Sequence, residues 1–287
     1  MTQSEGEGRV GVRRQKKRSQ GEGFKNFLNL LFGRLVLFVI WCLLFGAYSL
    51  AEAKEYDGIW FLGYNLKSEV LSSTSVRQAI SQALDKTYIV QKIVEGEVVP
   101  ESMIPPSMIG YNAELEPGLQ NISQSKTLMK KAGFNMTDKR LKSLSLLHTD
   151  GIKTVAIAKE IQKDLQKIGM RVNLSQIDYM SQEAWIGELT SGKHDFFLMG
   201  YKAGIEEFLS SPEASGVDSY SLVKPLFASN GSANFTGFSN EKVDKLLDQL
   251  SGINFALKAE RHAKLKEINN LLVKARPVEV LFYIEKL

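Results

Sequence analysis

The chain has 287 residues, 44% of them hydrophobic, with one cysteine and 36 Lys plus Arg against 32 Asp plus Glu. This composition excludes a mainly disordered polypeptide, a disulfide scaffold and a thiolate-rich metal cluster. The net charge of +4 is carried by residues 1–34, while the remainder is near neutral and so lacks the basic folded face of a nucleic-acid binder.

Residues 1–34 combine Gly, Glu, Gln and Ser with Arg9, Arg13, Arg14, Lys16, Lys17, Arg18, Lys25 and Arg34. They read as a disordered basic tail. Residues 35–50, LVLFVIWCLLFGAYSL, have no charged side chain. A run of this length is near the minimum that crosses a bilayer as a helix. The basic flank keeps the tail in the cytoplasm and sends the chain beyond residue 51 outside. Two readings stay open: a transmembrane signal anchor over 35–51, or a signal peptide cut after the small-x-small triplet Ala51-Glu52-Ala53. Cys42 follows Trp41 and precedes Leu43-Leu44-Phe45, which does not suit lipidation. It reads as a lipid-facing apolar residue.

The exported body, residues 54–287, begins with an aromatic strand, IWFLGYN. Helical spacing of Val76, Ala79, Ile80, Ala83, Leu84, Val90, Ile93 and Val94 predicts one helix, with caps from Ser73 to Ser75 and a stop at Gly96. Pro100, Pro105 and Pro106 make residues 98–112 an extended connector. A short helix follows over 123–134. An alternation then begins: strand 144–148, helix 154–168 stopped by Gly169, strand 170–177, helix 181–190, strand 196–200. Strand–helix–strand–helix–strand order predicts an α/β layer. Residues 204–240 read as loop with short helical pieces. Helices 241–250 and 256–273, Pro277 and the strand 278–284 complete the chain. Whether the first and last strands join the central layer stays open.

The catalytic inventory is thin. His148, His194 and His262 have no second His or Cys at ligand spacing, so no metal site is expected. No nucleophile elbow, phosphate-cradling glycine loop or paired-cysteine motif occurs. His194-Asp195 reads as a turn pair before a strand, and Glu206-Glu207 as solvated loop residues. No cofactor is expected.

The segments in order resemble the family 5 extracellular solute-binding proteins, the oligopeptide-, dipeptide- and nickel-type receptors of ABC importers. The matching residues are Arg77-Gln78-Ala79, Asp85-Lys86, Gly96, Pro105-Pro106 and Gly110-Tyr111. Ala132-Gly133-Phe134, LQKIGMRVNL, HDFFLMGY, NFTGFSNEKVDKLLDQL, Arg261 and PVEVLFYI follow in the same order. Members are roughly twice as long. The resemblance therefore implies the C-terminal lobe alone of a periplasmic-binding-protein-like (type II) α/β fold, here preceded by one transmembrane helix. Family ligands are held by closure of two lobes. The peptide-binding members follow a Gly-Trp with x-Ala-Asp, whose carboxylate meets the ligand's ammonium. Here the phrase is Gly200-Tyr201-Lys202-Ala203-Gly204. The aromatic is kept as Tyr201, the acid has become Gly204, and Glu206 or Glu207 is the replacement on offer.

The resemblance implies a non-catalytic, membrane-tethered binding component of an importer for peptides or similar solutes. Its C-terminal domain would lie outside the cytoplasmic membrane of a bacterium. Tyr201, Lys202, Glu206, Asn234 and Phe235 would line the ligand face. The expected partners are the solute, the ABC permease and a separate chain supplying the absent N-terminal lobe. The alternative is a degenerate lobe serving as a membrane-anchored protein-interaction module.

Overall fold

The computed structural model describes residues 54–204 and 218–286. The basic tail, the apolar run at 35–50, Cys42, Glu206 and Glu207 lie outside the described residues. Among the described residues, no helix is long and apolar enough to cross a membrane.

In chain order the elements are β1 (Tyr56–Tyr64), α1 (Thr74–Ala83), α2 (Lys86–Tyr88), a π-helical turn (Ile89–Val94) and α3 (Ile122–Lys131). Then come β2 (Leu144–Thr149), α4 (Ile152–Gln166), β3 (Val172–Ile177), α5 (Gln182–Thr190) and β4 (Phe196–Lys202). The described remainder holds α6 (Tyr220–Phe227), α7 (Glu241–Ser251), α8 (Lys258–Ala275) and β5 (Val278–Glu285). Helix starts follow local chemistry. Asn240 Oδ1 accepts the N–H groups of Lys242 and Val243 at 3.0 and 3.1 Å, and Asn121 caps α3 through the Gln124 N–H. These side chains satisfy amides that a helix leaves unpaired at its first turn. Gly169, with φ +90°, follows the end of α4.

The five strands form one sheet in the order β3-β2-β4-β1-β5. β2 is parallel to β3 and β4, and β1 is antiparallel to β4 and β5. The first and last strands thus belong to the central sheet, a question the sequence left open. Both faces are covered. On one, Ile59, Phe61, Phe197 and Val280 pack with α6, α7 and α8. On the other, Leu62, Tyr64, Phe196 and Leu198 pack with α1, α3 and α4. The period-2 alternation of each strand supplies both cores at once.

The single helix expected over 76–94 is broken. The Asp85 N–H donates to Asp164 Oδ2 at 2.8 Å instead of continuing the helix, and Asp85 itself caps Tyr88 at 2.9 Å. Asp164 is fully buried, and Gln120 and Lys167 also bind it, at 3.1 and 2.7 Å. A buried carboxylate with several donors outweighs one helical hydrogen bond. The stop also differs from expectation. Glu95, not Gly96, takes the left-handed conformation (φ 65°), and the Gly96 N–H closes the turn on Val90 O at 2.8 Å.

Gly110 shows why the connector needs glycine. Its φ is +96°, and a Cβ there would lie 2.4 Å from Leu265 Cβ. Gly110→Ala is expected to destabilise by about 2 kcal/mol or more, because backbone strain and overpacking add. Urea unfolding followed by circular dichroism measures the loss.

Candidate functional site

Because β2, β3 and β4 are parallel, their carboxyl ends share one edge of the sheet. β5 also ends there, and the start of β1 joins them through the Gly58–Lys202 pair. In open α/β sheets this edge is where ligands bind. The loops that leave it here are pinned rather than loose. The Asp150 N–H donates to Ile177 O at 3.0 Å, Asp150 Oδ1 accepts the Tyr179 N–H at 2.9 Å, and Asp178 Oδ1 accepts the Met180 N–H at 2.8 Å.

The pinned loops hold apolar side chains out in solvent. Ile152 is 91% exposed, Tyr179 68% and Met180 74%. Large apolar residues held outward from a rigid edge mark a surface for covering. Sequence reading missed all three. The available signal was an apolar residue one or two positions beyond the Asp that follows a strand (Asp150-Gly151-Ile152, Asp178-Tyr179-Met180).

Lys202 sits at this same edge. Its ammonium is 3.2 Å from Asp57 Oδ1 and 3.4 Å from the Glu285 carbonyl oxygen. The Lys202 cation is therefore matched by a carboxylate from β1. Tyr201 faces the core beneath α6 to α8 and is only 9% exposed. Gly204 has φ +76°, a left-handed conformation that favours glycine. The backbone thus gives a local reason for glycine at this position.

Asn234 and Phe235 lie elsewhere. Phe235 stands edge-on to Phe197, with centroids 6.5 Å apart, at the start of β4. Phe197 and Lys202 are five residues apart along one strand, about 16 Å. Asn234 is committed to its own loop. Its Nδ2 donates to Ala228 O and Phe238 O at 2.9 and 2.8 Å, and its Oδ1 accepts from Thr236 Oγ1 at 2.8 Å and the Phe238 N–H at 3.2 Å. The structure therefore does not bring the sequence-predicted ligand residues together. Tyr201 and Lys202 are at one end of β4, Asn234 and Phe235 at the other. Glu206 lies outside the described residues.

His194 and Asp195, adjacent in the turn before β4, bind different partners. His194 meets Glu188, with Nε2 to Oε2 at 3.0 Å, rather than Asp195. Asp195 accepts from Ser68 Oγ at 2.9 Å and the Ser145 N–H at 3.0 Å, joining β2 and β4 to the loop after β1. Among the described residues no three His, Cys, Asp or Glu side chains are grouped to hold a metal.

A mixed sheet under helices on both faces, with an open apolar shelf at its strand ends, defines a periplasmic-binding-protein-like fold. The family model of bacterial extracellular solute-binding proteins, family 5, middle, matches residues 45–214, more than half of the chain, and the chain belongs to that family. This is a family of solute-binding proteins, not of enzymes. Among curated relatives, heme-binding protein A of Haemophilus influenzae is 25% identical over 78% of this chain and 39% of its own length. The oligopeptide-binding protein OppA of Bacillus subtilis is 22% identical over 81% of this chain and 41% of its own. Among solved structures, HbpA2 from Haemophilus parasuis superposes with a TM-score of 0.68 at 20% identity, covering 81% of this chain and 43% of that one. The chain spans about two fifths of the length of the curated relatives it matches.

Proposed function

We propose that the chain is a substrate-binding component of an ABC-type importer for peptides or similar solutes. It works outside the cytoplasmic membrane, is tethered through residues 35–51, and performs no chemistry. In this reading residues 54–287 are one lobe of a two-lobed receptor. The strand-end shelf of Ile152, Tyr179 and Met180, with the Lys202–Asp57 pair beside it, faces the ligand, and a second lobe forms the opposite wall. The observation that carries the reading is the exposed shelf at the carboxyl edge of the sheet in a chain that belongs to a solute-binding family. A single lobe covers only part of a ligand, so affinity depends on the second wall. The Lys202–Asp57 pair supplies polarity without net charge, which favours a solute that need not present a lone ammonium.

Isothermal titration of the full chain with pools of di- to pentapeptides tests this, alone and with the cognate permease. Binding heat is expected in the presence of the partner, weakened about tenfold or more by Tyr179→Asp, since a desolvated anchor is replaced by a charge. Silence in every pool, with and without the transporter, rejects it.

A second reading is supported by Gly204 standing where the ligand-capturing acid stands in peptide receptors. The lobe would then serve as a membrane-anchored interaction module whose shelf docks another protein. Membrane crosslinking decides between the two. Adducts at Tyr179 and Met180 without peptide binding favour the module, and a strictly monomeric chain without adducts excludes it.

A further inference from the structure

At the far end of β4 from Lys202, a cavity of about 230 Å³ opens where β1 ends and β4 begins. Its floor is apolar: Leu147, Leu189 and Phe197 are buried. Phe235 closes one side, edge-on to Phe197. The rim is polar and held firmly. Asn65 Nδ2 donates to the carbonyls of Gly192 and His194 at 3.1 and 3.2 Å, and the Leu66 N–H donates to Thr236 O at 3.0 Å. The turn before β4 and the loop carrying Phe235 are therefore both tied to the end of β1. Preformed walls spare a ligand the cost of ordering them.

The charges on the rim decide the ligand class. Glu188 is engaged by His194, with Oε2 3.0 Å from Nε2, and Lys193 Nζ stands 4.0 Å from Oε1. Lys67 also lines the cavity, and its ammonium has no carboxylate or hydrogen-bond acceptor among the described residues. A cationic ligand would compete with groups already paired, whereas an anion gains Lys67. The aromatic edge and aliphatic floor suit a flat apolar body.

We propose that this cavity binds a small aromatic monocarboxylate, its ring on Leu189, Phe197 and Phe235 and its carboxylate at Lys67. The site is distinct from the strand-end shelf, about 16 Å away along β4, and does not rest on the importer reading.

The test is saturation-transfer difference NMR on the full chain in detergent micelles, with 3-phenylpropionate against its uncharged amide. The acid is expected to bind about tenfold or more tightly than the amide, as one charge-assisted contact allows. Lys67→Gln, an exposed substitution that leaves the melting temperature unchanged, abolishes that preference, while Tyr179→Asp keeps it. The proposal is overturned by equal binding of acid and amide, by no binding of either, by an unaltered preference in Lys67→Gln, or by loss in Tyr179→Asp.

Discussion

Arg261→Met is expected to lower the unfolding free energy by about 3–5 kcal/mol. Arg261 is only 2% exposed, and its Nε lies 2.7 Å from Asp218 Oδ2. Asp218 opens the turn into α6, so the pair joins α8 to α6. The guanidinium Nη1 also donates to Leu250 O at 3.0 Å and Ile253 O at 2.7 Å, closing the end of α7. Its plane lies 4.3 Å from the Phe255 ring centroid. Methionine fills the volume but leaves a buried carboxylate without its cation and the Ile253 carbonyl without the guanidinium donor. The desolvation of Asp218 then goes uncompensated, which is the dominant cost. Arg261→Lys restores the charge but not the forked geometry, and is expected to recover about half of the loss. Urea denaturation of the single variants, Asp218→Asn and the double variant forms a cycle. A loss below about 1 kcal/mol, or strict additivity across the cycle, contradicts the coupling.

Glu279→Gln is expected to cost a similar amount, about 3–5 kcal/mol, and to change the acid limb of stability. Glu279 on β5 accepts from Ser81 Oγ at 3.0 Å and Arg276 Nη1 at 3.2 Å, and its Oε1 is 2.9 Å from Lys86 Nζ. Lys86 is buried too, with its remaining contact to Pro100 O at 2.9 Å. An amide at 279 leaves that ammonium buried without an anion. Burial alone raises the carboxyl's pKa, but the charges of Lys86 and Arg276 outweigh it and hold the group below its ordinary value of 4.5. A group depressed in the folded state contributes stability that is full above its unfolded pKa and fades as pH falls through the folded one. The wild type should therefore lose this contribution only below pH 4.5. The Gln variant lacks it throughout, so its melting temperature should fall less steeply across the same acid range. Thermal melts from about pH 7 to pH 3 measure both curves. Parallel curves would falsify the assignment of this acid sensitivity to Glu279.

These two ion pairs show what the motif residues do. Arg77, Lys86, Gly110 and Arg261 carried the family resemblance, and each is structural. Arg77 donates to the carbonyls of Leu71, Ser72, Ala275 and Arg276, latching α1 to the end of α8. The resemblance therefore named the fold through the residues that hold it together. The ligand face was less legible. Tyr201 and Lys202 were read from the family's Gly-Trp phrase and Asn234 and Phe235 were grouped with them by family order, whereas the sheet sets the two pairs at opposite ends of β4. Ile152, Tyr179 and Met180 went unread, because exposure of an apolar residue depends on neighbours distant in the chain.

The amino-acid sequence by itself determined the periodic elements. Alternating and 3.6-residue apolar spacing and proline breaks are local features, and local backbone physics is enough to read them. The tertiary structure decided three matters that no local window contains. Asp164, far along the chain, draws off the Asp85 amide and divides a helix that looked continuous. The pairing of β1 with both β4 and β5 places the first and last strands side by side at the sheet's end. The common direction of β2, β3 and β4 gathers the exposed shelf at one edge. Each is a contact between residues remote in sequence, and its free energy exists only once the chain has closed on itself.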